Sequence, residues 1–228
     1  MLTNYGDISR SNVLRKALHG TTTVGIVVKD GVVLVADKRA TSGYYIAHKK
    51  VKKIIRIDDK VALTTAGLVA DAQFLASYLR YEAQYYKVTT GKPMPLRTLA
   101  SLLSLILNSS KFFPYIVQLL LGGYDAYEGP KLFAIEWFGD LTEEKYTATG
   151  SGSPVALGVI ESGYNYDMSL EEAIKLGLKA VTSALKRDPW SGEGYDVAVI
   201  TNEGIKEYTF KYPINLSRLH LGSKEYDG

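Results

Sequence analysis

Apolar residues gather in short, β-branched runs over some stretches of the chain and recur every three or four residues over others. Residues 22–28 and 32–36 are runs of the first kind, separated by Lys29-Asp30-Gly31. An Asp-Gly pair between two such runs is a hairpin signal. Residues 53–57 and 61–66 repeat the pattern around Asp58-Asp59, and Gly67 closes the second run. Leu68, Ala72, Leu75, Leu79 and Ala83 then fall on one helical face, which predicts a helix over 68–86. Pro93 and Pro95 part it from a second helix over 96–110, with Leu99, Leu103, Ile106 and Leu107 on one side, and Pro114 stops that helix.

Strands are predicted again at 115–122, 132–137 and 145–149. A Gly/Ser turn at 150–153 leads to a short helix from Pro154. Ser169 and Glu172 have the spacing of a capping box, and the helix they open runs to about Arg187. Two final strands, 196–201 and 205–210, flank Asn202-Glu203-Gly204. Strands are thus grouped with strands and helices come in pairs. That order predicts an α+β fold: a four-layer αββα sandwich of two antiparallel sheets between helical layers. No βαβ alternation is visible, which argues against a dinucleotide-binding sheet.

The 228 residues fit one domain. With no cysteine, disulfides, thiolate metal sites and a cysteine nucleophile are excluded. The net charge is +3, and Arg10, Arg15 and Lys16 against Asp7 place most of that excess in the first twenty residues. The remainder is close to neutral, so nothing calls for nucleic acid. The longest apolar stretches, 102–107 and 116–121, are far short of the about 20 residues a membrane span needs. Residues 1–20 lack the apolar centre of a secretory signal, so they read as a polar extension or a removable leader.

Several familiar motifs fail on inspection. Gly150-Ser151-Gly152 has no third glycine at the dinucleotide spacing, and Gly91-Lys92 runs into Pro93 rather than a Walker hydroxyl. No nucleophile elbow occurs. His19, His48 and His220 have no ligand spacing and read as surface residues. No metal or cofactor is expected. The string His19-Gly20-Thr21-Thr22-Thr23-Val24-Gly25 is more informative. Alone it reads as ordinary strand, because Thr favours sheet. Yet a polar segment precedes it, Gly20 offers an unhindered bond, and Asp37, Arg39 and Lys53 put charge inside otherwise apolar sheet.

At this point the chain resembles a known family. Gly20-Thr21-Thr22-Thr23-Val24-Gly25 resembles the processing site of proteasome β subunits, of the N-terminal-nucleophile hydrolase superfamily. Val35-Ala36-Asp37-Lys38-Arg39-Ala40-Thr41 resembles their second strand and its turn, and 49–54 the strand with their catalytic lysine. Thr65-Ala66-Gly67-Leu68-Val69-Ala70-Asp71-Ala72 resembles their strand-to-helix junction. Thr149-Gly150-Ser151-Gly152-Ser153-Pro154 and Tyr195-Asp196-Val197-Ala198-Val199-Ile200 complete the set, in the family's order.

The resemblance implies a threonine endopeptidase whose leader, residues 1–20, is removed by autocatalytic cleavage of Gly20–Thr21, leaving 21–228 as the hydrolase domain. A threonine hydroxyl needs an adjacent base. The freed α-amine, with a reference pKa of about 7.7–8.0, supplies one that the precursor amide cannot. By resemblance, Thr21 is the nucleophile and Lys53 the cation beside it, held by Asp37. Gly67 offers its N–H to the oxyanion. Ser151 and Asp188, joined by Ser191, orient the terminal amine. Taken alone, Asp37 and Lys53 read as a buried ion pair, Gly67, Ser151 and Asp188 as turn residues, and Arg39 as structural support.

The family's substrate pocket maps to Ala40, Val51, Ile55, Thr65 and Val69, which implies cleavage after hydrophobic residues. These side chains could equally be core. In Ser191-Gly192-Glu193 an acid stands where the family often has a small residue. The implied partners are other β subunits in a seven-membered ring, α-subunit rings, and a regulatory ATPase acting through those rings. The implied substrates are unfolded proteins, in the cytoplasm. Two alternatives remain: a non-catalytic structural β subunit, and a different N-terminal-nucleophile amidase. The polar tail after Leu219 is expected to fray.

Overall fold

The computed structural model describes residues 20–42 and 45–216. The rest of the proposed leader and the polar tail lie outside the described residues, as do His19 and His220. Among the described residues, twelve strands and four helices follow in order. The first six strands are β1 (Thr23–Val28), β2 (Gly31–Asp37), β3 (Ala40–Ser42), β4 (Tyr45–His48), β5 (Ile54–Asp58) and β6 (Val61–Gly67). Helices α1 (Val69–Thr90) and α2 (Leu96–Ser109) come next, then β7 (Val117–Asp125), β8 (Gly129–Ile135), β9 (Leu141–Glu143) and β10 (Tyr146–Thr149). Helices α3 (Ser153–Glu161) and α4 (Leu170–Leu185) precede β11 (Gly194–Thr201) and β12 (Gly204–Lys211).

Two five-stranded antiparallel sheets result, one in the order β10-β1-β2-β11-β12 and the other β5-β6-β7-β8-β9. Three apolar layers hold them. Between the sheets, Val32, Leu34 and Ala36 of β2 meet Ile54, Ala62, Leu120 and Leu132. On the far side of the first sheet, Val33 and Val35 of the same strand meet Ala180, Val181 and Ala184 of α4. The second sheet packs Leu63, Leu119 and Phe133 against Leu75, Leu79, Leu99 and Leu103 of α1 and α2. The predicted four-layer sandwich is therefore the observed architecture. It also explains why β2 reads as one unbroken apolar run: a strand buried on both faces has no polar side to alternate with. Emptying such a site, as in Leu63→Ala, removes about 2–5 kcal/mol.

Local signals act as predicted. Val28 pairs with Gly31, so Lys29 and Asp30 form the two-residue turn between β1 and β2. The Ser169 hydroxyl accepts from the Glu172 N–H, and the Glu172 carboxylate accepts from the Ser169 N–H at 2.8 Å, closing the capping box of α4. Helix α1 runs four residues past its predicted end, because no glycine or proline interrupts it before Gly91 takes the left-handed conformation. Strands β3, β4 and β9 escaped sequence reading. They are three or four residues long, and β4 is largely exposed, so no burial pattern marks them.

This layering brings five chain segments to one end of the sheets: the entry to β1, the exit of β2, the entry to β5, the exit of β6, and the 188–194 loop ahead of β11.

Candidate active site

Thr21 lies two residues ahead of β1 and is 6% exposed. Its hydroxyl donates to the carbonyl oxygen of Gly20 at 2.7 Å. The same oxygen accepts from the Lys53 ammonium at 2.9 Å. Lys53 precedes β5 and is tied to β6, where the Thr65 N–H donates to its carbonyl. Its ammonium also donates to Asp37 Oδ1 at 2.7 Å. Lys53 thus bridges a carboxylate and the carbonyl of the Gly20–Thr21 bond.

Asp37 ends β2 and is fully buried. Besides Lys53, the Thr22 N–H donates to its Oδ1, and the N–H groups of Arg39 and Gly192 donate to its Oδ2. All four partners are donors. A carboxyl proton would have no acceptor, so this cage suits the ionised form. Burial pushes the Asp37 carboxyl up from its ordinary value, opposed by Lys53 and the backbone donors. Burial likewise pushes the Lys53 ammonium down, opposed by the Asp37 charge. Each charge lowers the desolvation cost of the other, and removing either leaves its partner buried alone.

A second cluster adjoins the first. Asp188 Oδ2 accepts from the Ser151 hydroxyl at 2.7 Å and the Ser191 hydroxyl at 2.5 Å. Ser151 reaches the Thr21 carbonyl at 3.4 Å, and Ser191 shares a hydrogen bond with Thr22 Oγ1 at 2.8 Å. Gly150 sits against the carbonyl of Thr21: with φ at 88°, an added Cβ would fall 2.1 Å from that oxygen. At the exit of β6, Gly67 has φ of 115°, and a Cβ there would strike the Ile116 carbonyl oxygen at 2.2 Å. Both positions therefore demand glycine.

Thr21, Gly20, Lys53 and Gly67 open onto a cleft of about 840 Å³ between β5 and α1. Ala40, Val51, Ile55, Thr65 and Val69, the five residues of the expected pocket, all line it. The structure therefore brings every predicted site residue to one end of the molecule, in the cleft or in the hydrogen-bonded clusters behind it. His48 is exposed and does not line the cleft.

Sequence reading missed three contributors, and it named Arg39 as structural support without its partners. Thr23 Oγ1 bonds Thr64 Oγ1 at 2.9 Å and Thr149 Oγ1 at 2.7 Å, joining three strands under the site. The Gly192 N–H completes the Asp37 cage. Arg39 bonds Glu193 and the Pro189 carbonyl rather than Asp37 through its side chain. The cleft also extends past the apolar pocket to Lys52, Arg56, Gln73, Ser77 and Arg80. Backbone donors carry no side-chain signature, and the remaining residues are too common in strands and loops to stand out. Among the described residues, no group of three or more His, Asp or Glu side chains could hold a metal ion, and no helix is long and apolar enough to cross a membrane.

Comparison with known proteins gives one family throughout. The family model described as "Proteasome subunit" matches residues 17–200. "Proteasome subunit beta 2" of Hyperthermus butylicus is 56% identical over 196 residues, covering 86% of this chain and 92% of that protein. "Proteasome subunit beta 2" of Staphylothermus marinus is 59% identical over 187 residues, covering 82% of this chain and 89% of that one. "Proteasome subunit beta" of Methanocaldococcus jannaschii is 52% identical over 190 residues, with 83% and 85% covered.

Proposed function

Since the chain belongs to the proteasome subunit family, with relatives of the β type, we propose that it is a catalytic β subunit: a threonine endopeptidase made as a precursor. The observation that carries this reading is the Gly20 carbonyl oxygen, which takes the Thr21 hydroxyl and the Lys53 ammonium together. A buried cation on a carbonyl oxygen withdraws electron density from its carbon and stabilises negative charge that develops there.

Processing then follows from the chain's own groups. Thr21 Oγ bonds to the Gly20 carbonyl carbon, and its proton passes to the carbonyl oxygen to which it already donates. The C–N bond breaks as that proton moves to nitrogen. Gly20 becomes an ester on Thr21 Oγ, and Thr21 gains a free amine. Water hydrolyses the ester, releasing residues 1–20 with a carboxyl group on Gly20.

In the mature chain the freed amine takes the hydroxyl proton, and Thr21 Oγ attacks a substrate peptide carbonyl. Lys53, held charged by Asp37, favours the alkoxide. Gly67 supplies a main-chain N–H to the oxyanion. Asp188, Ser151 and Ser191 orient the amine. The apolar wall of Ala40, Val51, Ile55 and Val69 receives a hydrophobic side chain before the scissile bond. The subunit works inside a stack of rings, with other β subunits, α-subunit rings and a regulatory ATPase, on unfolded proteins in the cytoplasm.

Co-expression with an α subunit tests this reading. Mass spectrometry of the assembled particle is expected to find a chain beginning at Thr21, with fluorogenic peptide hydrolysis that Thr21→Ala abolishes. Fully assembled rings that keep the leader and do not hydrolyse peptides would make this a structural β subunit instead.

A further inference from the structure

We propose that Glu193 is a positioning residue of this active site: through the Arg39 guanidinium it pins the 188–194 loop so that the Gly192 N–H, Ser191 and Asp188 stay on their partners. The inference rests on the reading of Thr21 as the nucleophile. Glu193 Oε1 accepts from Arg39 Nε at 3.2 Å and Nη2 at 3.0 Å. Arg39 Nη1 donates to the Pro189 carbonyl at 2.9 Å. The planar guanidinium therefore ties two points of one loop, Pro189 and Glu193, to the exit of β2. Gly192 lies directly beneath it, since a Cβ there would fall 2.5 Å from the guanidinium carbon.

The groups within this tie and next to it all bear on the site. Asp188 accepts from Ser151 and Ser191, Ser191 bonds Thr22, and the Gly192 N–H closes the Asp37 cage. Arg39 is itself locked, because its own N–H donates to Asp37. Glu193 accepts an unusual backbone to do this. Among the described residues it is the only one other than glycine with a positive φ, at 73°. A side chain bearing a Cβ resists that conformation. Glycine at 193 would relieve the backbone, so the acid must be there for its carboxylate. Both partners are 22% exposed, which leaves the pair shielded but not sealed.

Two substitutions separate the carboxylate from the backbone. Glu193→Gly frees the left-handed turn and removes the charge. Glu193→Gln keeps the side chain's length and one acceptor but removes the charge. In assembled particles, both are expected to lower kcat on a hydrophobic fluorogenic peptide by about tenfold or more, as a displaced support does, with KM nearly unchanged. Glu193→Gly is expected to keep or raise the melting temperature. Wild-type kcat in Glu193→Gly overturns the proposal, because then only the turn mattered. A second readout needs neither assembly nor activity. Hydrogen exchange of the Gly192 amide in the precursor is expected to be slow in wild type and faster by about tenfold in Glu193→Gln. Equal exchange in the two chains also overturns it. A wild-type particle that neither processes nor hydrolyses refutes the nucleophile reading, while the exchange comparison still decides whether the tie holds the loop.

Discussion

The Lys53 ammonium lies 2.7 Å from Asp37 Oδ1 in a place where both side chains are almost wholly excluded from water. Such a pair stabilises a fold only weakly as a unit, yet each half depends on the other. Lys53→Met is expected to cost about 3–5 kcal/mol, because it strands a buried carboxylate. The double variant Asp37→Leu/Lys53→Met should lie closer to wild type than either single change. Urea unfolding of the three chains measures this. Strict additivity of the two single losses would argue against the coupling. None of the three is expected to release the leader.

Processing should fail on the alkaline side below the ordinary lysine value of 10.5, because burial lowers the Lys53 pKa. As pH rises through the lowered value, the cation on the Gly20 carbonyl is lost. Stability moves the other way for this group. Between its folded value and 10.5 the unfolded chain holds the proton and the folded chain does not, so this contribution to stability grows with pH. A mass-spectrometric time course of leader release across pH, beside melting temperatures at the same pH values, tests the opposition. Parallel loss of both would contradict it.

Gly150→Ala is expected to block leader release. The new Cβ would press on the Thr21 carbonyl oxygen, 2.1 Å away, from a backbone with φ of 88°. A left-handed alanine costs about 1–2 kcal/mol before any clash is counted, and the nearest atom belongs to backbone next to the nucleophile. The precursor's mass in purified material, together with its urea midpoint, separates a misplaced Thr21 from an unfolded chain. Normal processing in a destabilised chain would show that the Thr21 carbonyl has room to move.

Ala40→Phe narrows the cleft at its wall. The change should lower kcat/KM for peptides with Phe or Leu before the scissile bond by one to two orders of magnitude, about 1–3 kcal/mol. Peptides with Ala at that position should lose far less. Kinetics on a matched peptide series gives the answer. Equal losses across the series would remove Ala40 from the specificity wall.

Most of the fold was legible because its cause is local. Burial of β2 on both faces needs an unbroken apolar run, and Val32 to Ala36 is one. The capping box of α4 is two residues speaking to each other across three positions. Short strands were not legible. Three residues such as Leu141–Glu143 contain too few positions for a period, and they form only because β8 offers a free edge.

The candidate site divides along the same line. Gly20-Thr21 can be picked out along the chain, since a glycine before a threonine run is a local feature. The residue types at Asp37 and Lys53 also stand out, being charges within apolar strand. What no local pattern contains is that Lys53, ahead of one sheet, reaches across to the carbonyl that precedes the other. That contact depends on how two sheets stack and in which register their strands pair, and such relations exist only between segments distant in sequence. The Asp37 cage is decided in the same way, by N–H groups that every residue type but proline carries. The chain alone therefore determined which elements form and where reactive side chains sit along them. Tertiary packing alone decided that a lysine and a threonine hydroxyl converge on one peptide carbonyl, while an amide from the 188–194 loop holds the carboxylate that pairs with the lysine, because only stacked sheets bring such separate stretches within hydrogen-bond reach.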